Sequence, residues 1–199
     1  MNSRISNTAA VSPEAKVGSG VSIWAFAQVR ENAIIGDNTN VGSHVYIDAN
    51  VQIGKNCKIQ TGALIYDSEI LHEGVFIGPG VILTNDKYPR AISADLTTKS
   101  SAEWEKVGVE INIGASIGAG SVCVAPIKIG SWAVVGAGTV ATKDIPDFAL
   151  VIGNPARQIG WVGKSGKKLI KIKQDIYKCP QTDTIYKEVN SILSESNGE

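Results

Sequence analysis

Residues 29 to 47 read VRENAIIGDNTNVGSHVYI. Val29, Ile35, Val41 and Ile47 stand six apart, and each is aliphatic. The spacing runs on in both directions. Ile5, Val11, Val17 and Ile23 precede it, and Ile53, Ile59, Ile65, Leu71, Ile77 and Leu83 follow. Four residues after each aliphatic comes a second set, mostly small or branched: Ala9, Ala15, Val21, Ala27, Ala33, Thr39, Val45 and onward. A period of six is neither the 3.6 of a helix nor plain alternation. One hexad cannot bury its own aliphatic residue, but stacked coils turn that residue into a continuous column. Three hexads close one triangular coil, with a short strand on each side and a turn at each corner. Glycines directly after the aliphatic, as at Gly36, Gly54 and Gly78, allow tight turns there. The expectation is an all-β chain folded as a parallel β-helix of about seven triangular coils.

The register fails after Leu83. Thr84-Asn85-Asp86-Lys87-Tyr88-Pro89-Arg90 opens a polar stretch without a period that lasts to about Lys106. Long loops inside rigid scaffolds are usually functional or disordered. The hexads resume at Ile111, Ile117, Cys123, Ile129, Val135 and Ala141, in a shifted phase that fits one extruded loop at about 84–106. The helix should end near Pro146. Alternation at Leu169 to Gln174 reads as a strand, and Asp175 to Asn190 as a further strand pair. The division expected is a β-helix domain over 1–160, then a small C-terminal β-hairpin cap over 161–199 with a tail that frays from Ser194.

Composition narrows the function. The 199 residues carry zero formal net charge, so a basic nucleic-acid footprint is absent. No apolar run approaches the ~20 residues of a membrane-spanning helix, and the polar N-terminus carries no signal-peptide pattern. Cys57 and Cys123 fall at hexad positions and read as core. Three scattered cysteines without a CxxC pair argue against zinc and for a reducing, cytoplasmic setting.

The hexads, the loop after coil five and Gly153-Asn154-Pro155-Ala156-Arg157 together resemble the hexapeptide-repeat acyltransferases, the left-handed β-helix family. Ile23-Trp24, Lys58-Ile59-Gln60, Thr84-Asn85 with Pro89-Arg90, and Cys179-Pro180-Gln181-Thr182 with Tyr186 extend the resemblance to the sugar-nucleotide amine N-acetyltransferases. Within these it is most similar to the UDP-2-acetamido-3-amino-2,3-dideoxy-glucuronate and dTDP-3-amino-sugar groups. The resemblance implies a left-handed helix, a homotrimer, acetyl-CoA as donor, sites between neighbouring subunits, a nucleotide-linked amino sugar as acceptor, and a role in surface polysaccharide or glycan precursor synthesis. Relatives often carry His where this chain has Ala25 and Gln28, and an Asn pair where it has Thr61-Gly62, which bears on the identity of the sugar.

The chemistry needs an amine, a thioester and an oxyanion donor. Asn85 can accept a hydrogen bond from the amine and orient its lone pair; an Asn that simply turns the chain out of the coil is the plainer role. Asp86 is a second polar candidate, or a solvated loop carboxylate. For the acceptor, Arg90 suits a diphosphate or a carboxylate, and Gln60 and Tyr66 are expected one coil before Asn85, with Gln60, Gly78 and the loop start close together. For the donor, Gly118-Ala119-Gly120 and Gly136-Ala137-Gly138 recur at one phase, where missing side chains let a pantetheine arm lie on the backbone; ordinary turn glycines would look the same. Arg157, in the Asn-Pro-Ala-Arg run, and Lys143 are candidates for a CoA phosphate, or are solvated cap residues. His44 and His72 read as surface turn residues, His72 being the better candidate base. Trp24 reads as a corner residue, and Trp104 as a loop aromatic that covers a ligand or anchors the loop. The competing functions are an O-acetyltransferase, which wants a histidine base; a metal enzyme with three His ligands, against which two histidines in each chain argue; and a non-catalytic β-helix binding module.

Overall fold

A computed structural model describes residues 2–100 and 103–196. In these residues short parallel strands wind into three flat faces, and each strand lies on the one a full turn earlier. The first face stacks Ile5, Ile23, Val41, Ile59, Ile77, Ile117, Val135 and Val151. The second stacks Val11, Val29, Ile47, Ile65, Leu83, Cys123 and Ala141. The third stacks Val17, Ile35, Ile53, Leu71, Ile111 and Ile129, with Ile145 bridged onto Ile129. The fold is thus the all-β parallel β-helix of the hexad reading, consistent with the left-handed form that the resemblance implies, with seven full turns and the first side of an eighth.

From Val21 onward both inward sets are buried, whereas Ile5 at the open end is 47% exposed. Ile47, Ile59, Ile65, Ile77 and Leu83 are fully enclosed, as are the small Ala27, Ala33, Cys57 and Ala63 between them. Each enclosed Ile or Leu contributes about 1.5–3 kcal/mol by leaving water. Cys57 and Cys123 are core residues, and burial, with Glu69 nearby, pushes the Cys123 thiol up to about 12. Hydrogen bonds run along the axis from turn to turn, as from Gly36 N–H to the Ile53 carbonyl at 2.8 Å. Two polar residues at inward positions bond across turns: the Thr39 hydroxyl donates to the Gly54 carbonyl at 3.0 Å, and that of Ser121 to the Gly136 carbonyl at 2.9 Å.

The regular turns locate the interruption. Ile53 pairs with Leu71, three hexads on, whereas Leu71 pairs with Ile111, more than six hexads on. The loop is therefore inserted between the second and third faces of the fifth turn.

At the far end Ala149–Ile152 pairs antiparallel with Arg157–Trp161 across the Gly153 to Ala156 turn. Beyond it lies a four-stranded antiparallel sheet: Ile170–Lys173, Ile176–Lys178, Ile185–Val189 and Ile192–Glu195. The sequence reading expected a strand over 169–174 and a strand pair over 175–190 within a hairpin cap; the sheet adds a fourth strand at Ile192–Glu195. It covers the last turn, with the Tyr186 ring 5.5 Å from Phe148 and the Trp161 indole N–H donating to Glu188 at 3.2 Å. Ser194 and Glu195 lie in the final strand, and Glu195 pairs with Lys164; the expected fraying of residues 197–199 falls outside the described residues.

Candidate active site

A turn takes three hexads, so positions three hexads apart share a corner. The first corner, between the first and second faces, carries Phe26, His44, Gly62, Gly80, Gly120 and Gly138 in one column. All six adopt left-handed φ between 58° and 71°. A Cβ placed on Gly62, Gly80, Gly120 or Gly138 would meet nothing within 4 Å. The upper part of this corner is therefore bare backbone open to one side. The neighbouring column differs: a Cβ on Gly118 would lie 2.4 Å from the Ala137 nitrogen, and one on Gly78 would lie 2.7 Å from that of Ala119. Those glycines let one turn stack on the next, whereas Gly120 and Gly138 leave room for something else.

The second corner holds the loop. Thr84 leaves the fifth turn with its hydroxyl accepting the Ala125 N–H at 3.1 Å. Asn85 and Asp86 follow, both half-buried. One turn below, Tyr66 lies under Thr84 with its ring 5.8 Å from Tyr46. The Tyr46 hydroxyl donates to Asp48 at 3.0 Å and accepts from Arg30 at 3.3 Å. The returning limb is tied to the same lower turn twice. Lys106 donates to Asp67, which is 8% exposed, at 2.6 Å. The Val109 N–H donates to Glu69 at 2.7 Å, and Glu69 is 0% exposed. Burial, only partly offset by that N–H, pushes the Glu69 carboxyl up to about 9, so it is neutral at pH 7. The loop itself encloses a cavity of about 340 Å³ walled by Asp86, Tyr88, Arg90, Lys99, Glu103 and Trp104.

The structure brings some sequence candidates together and separates others. Asn85, Asp86 and Tyr66 share the second corner, and Arg90 lines the loop cavity together with Asp86, its guanidinium donating to the Pro89 carbonyl. Gln60 stacks beneath Gly78, as expected, but on the first corner; the loop start belongs to the next corner because it comes one side later. Lys143 stands two turns above Asn85 on the second corner, exposed. Arg157 pairs with Ile152, beside the top of the glycine column, with its guanidinium donating to the Ala156 carbonyl. The two candidate phosphate ligands therefore sit at different corners. His72 lies on the third corner, where its ring meets Glu110 at 3.2 Å and Glu110 pairs with Lys128 at 2.8 Å. His44 is exposed at the first corner, and Lys106 lies over the Trp104 ring. Among the described residues, no three His, Cys, Asp or Glu side chains form a metal-binding group, and no helix is long and apolar enough to cross a membrane.

Sequence reasoning missed Asp67, Glu69, Lys106 and the Arg30–Tyr46–Asp48 network. Glu69 carried a signal, as a carboxylate in the small inward series. Arg30, Asp48, Tyr66 and Thr84 follow one another at intervals of three hexads, which also marks them as one column.

The pattern "Bacterial transferase hexapeptide (six repeats)" matches residues 14–49 and 32–67, and "Hexapeptide repeat of succinyl-transferase" matches 107–143. A dTDP-3-amino-3,6-dideoxy-alpha-D-galactopyranose 3-N-acetyltransferase of Aneurinibacillus thermoaerophilus is 49% identical over 83 residues, 41% of this chain and 42% of that protein. A galactoside O-acetyltransferase of Lactococcus lactis is 36% identical over 81 residues, 41% of this chain and 37% of that protein. The matches thus span less than half the length of these curated relatives. Among solved structures, the D94A mutant of AntD, an N-acyltransferase from Bacillus cereus in complex with dTDP and coenzyme A, superposes with a TM-score of 0.56 at 18% identity, over 82% of this chain and 85% of that one. WeeI from Acinetobacter baumannii gives 0.52 at 23% identity, over 75% of this chain and 57% of that one. Both likenesses speak to the fold.

Proposed function

This chain belongs to the hexapeptide-repeat transferase family, and from that premise we propose that it is an acetyl-CoA-dependent N-acetyltransferase acting on the amino group of a nucleotide-linked amino sugar. The observation that carries the reading is the bare column Gly62, Gly80, Gly120 and Gly138. It offers a thin, flexible arm a path along open backbone, where peptide groups can bond its amides. Arg157 at the head of that path suits a phosphate. The 49% identity to an amino-sugar N-acetyltransferase supports the acceptor class.

In this reading the amine lone pair attacks the thioester carbonyl, the carbon–sulfur bond breaks, and the amine proton leaves with the thiol. Asn85 accepts a hydrogen bond from the amine and aims its lone pair. A backbone N–H of the bare corner stabilises the oxyanion. Arg90 and Arg30 offer charge to the acceptor's diphosphate, and Tyr66 and Gln60 its polar contacts. Lys143 adds a point charge above Asn85.

Asn85 and the glycine column occupy different corners of one triangle, so the site is completed by a second copy. The outward side of the second face supports this, since Leu64, Ile82, Val122 and Val140 form one half-buried apolar stripe. A homotrimer brings the second corner of each copy against the first corner of the next. Such an enzyme works in the cytoplasm, on precursors of surface polysaccharide or glycan. The test is release of free CoA across a set of UDP- and dTDP-linked amino sugars. Turnover of at least one is expected, and turnover of none refutes the reading.

A further inference from the structure

At the foot of the first corner the chain does something costly. Four other corner positions with left-handed φ carry Asn, which tolerates that conformation: Asn32, Asn38, Asn50 and Asn56. The first corner instead holds Phe26 at φ 59° and His44 at φ 58°. Histidine adopts that conformation more readily than most residues, but the bulky Phe26 there is an outlier that calls for a reason. Phe148 and Trp132 share the conformation but have neighbours to explain it, the Tyr186 ring for one and Gly114 beneath the indole for the other. Phe26 is 56% exposed, and its ring centroid lies 5.1 Å from that of His44. Two residues earlier Trp24 is 44% exposed, with the Arg4 guanidinium 5.2 Å from its ring.

We propose that Phe26 and His44 form the platform on which the nucleobase of the acceptor stacks. The inference rests on the reading of the chain as a nucleotide-sugar enzyme. Phe26 lies three turns below Gly80, and Gly80 belongs to the same turn as Asn85. At about 4.8 Å per rung that is roughly 14 Å, comparable to the span of a ribose and a diphosphate. A threefold axis parallel to the solenoid keeps turns level between copies. The partner copy then presents its Asn85 at the height of Gly80 and its Arg30 at the height of Phe26. An acceptor laid along the corner places its amine at Asn85, its diphosphate near Arg30 and its base on the exposed rings. Stacking on a ring face tolerates different bases, so the platform serves uracil or thymine and sets affinity rather than strict choice.

The variant Phe26→Asn removes the ring and keeps a residue suited to the turn. The expected result is an unchanged or higher melting temperature and an unchanged oligomer. Affinity for UDP and dTDP, measured calorimetrically without any turnover, should fall about tenfold. KM for the amino-sugar substrate should rise by the same factor, with KM for acetyl-CoA unmoved. His44→Ala should give a smaller change of the same kind. Unchanged nucleotide affinity overturns the platform, as does failure of the wild type to bind either nucleotide. Dissociation of the oligomer overturns it too, by making Phe26 an interface residue. The two readings fail separately. Nucleotide binding that weakens in the variant, without turnover of any amino sugar, refutes the N-acetyltransferase and upholds the platform; turnover with unchanged variant affinity does the reverse.

Discussion

Alanine at Gly120 and alanine at Gly118, two residues apart on one corner, should do opposite things. At Gly120 the φ of 66° is one that alanine resists, but the added methyl meets nothing within 4 Å. The cost is that of the left-handed conformation alone, about 1–2 kcal/mol. For a chain of this size that lowers the melting temperature by about 3–6 °C. At Gly118 the methyl would lie 2.4 Å from the Ala137 nitrogen and 2.7 Å from the Gly136 carbonyl carbon. These are backbone atoms held in the ladder and cannot swing aside, so the turns must separate, at about 3 kcal/mol or more. Function should divide the other way. The Gly120 methyl stands in the open column and, in the proposed enzyme, should displace the pantetheine arm from the backbone. Loss of one or two hydrogen bonds raises KM for acetyl-CoA about three- to tenfold, while KM for the amino sugar stays put. The assays are a thermal melt and steady-state kinetics with each substrate varied in turn. An unchanged acetyl-CoA KM in Gly120→Ala refutes the donor path. A Gly120→Ala melt as low as that of Gly118→Ala refutes the division of the glycines into two kinds.

Asn85→Ala should lower kcat and kcat/KM together by about tenfold, since a hydrogen bond that orients the amine matters most in the transition state; wild-type kinetics would remove Asn85 from the site. Asp67→Asn should free the returning limb of the loop from Lys106, cost only about 1 kcal/mol because the lysine is half exposed, and speed proteolytic cleavage within residues 87–100. An unchanged cleavage rate would show that the pair does not hold the loop. Glu69 predicts a pH dependence. In the folded chain its carboxyl keeps its proton up to about 9, whereas in the unfolded chain it ionises near 4.5. Between those values unfolding releases a proton, so stability falls as pH rises, by about 1.4 kcal/mol per unit. Glu69→Gln should remove that slope in urea titrations from pH 5 to 8, and equal slopes in both proteins would show that Glu69 is ionised in the fold.

The period of six carried most of the architecture because each buried aliphatic serves one rung and the rungs are equivalent. Val29, Ile35, Val41 and Ile47 already contain a whole turn, and every later turn repeats the same packing. The loop was visible only as a loss of phase. Its inner order comes from pairs such as Lys106 with Asp67, far apart in the chain, and no local pattern announces so distant a partner. The C-terminal sheet was half legible. Alternation marked Leu169 to Gln174, but the number of strands depends on Tyr186 packing against Phe148 and Leu193 joining the core, which is tertiary packing.

The candidate site was legible as a set of residues but not as an arrangement, and the difference is arithmetic. Positions three hexads apart share a corner, while a single hexad moves one side along. Gly62 and Gly80 satisfy the first relation and form one column; Gly120 and Gly138 rejoin it once the inserted loop is discounted. Asn85 comes one side after Gly80 and cannot turn back to face it, because a rigid face of buried Val81 and Leu83 lies between. A single chain therefore offers the two halves of the chemistry on neighbouring edges that point away from each other. Rotation about an axis parallel to the solenoid brings the second edge of one copy against the first edge of the next without changing the level of either. In the proposed enzyme the oligomer completes the active site, and a mutation that separates the copies, such as Ile82→Asp on the outward stripe, should abolish turnover while leaving the buried column and the fold of each chain intact.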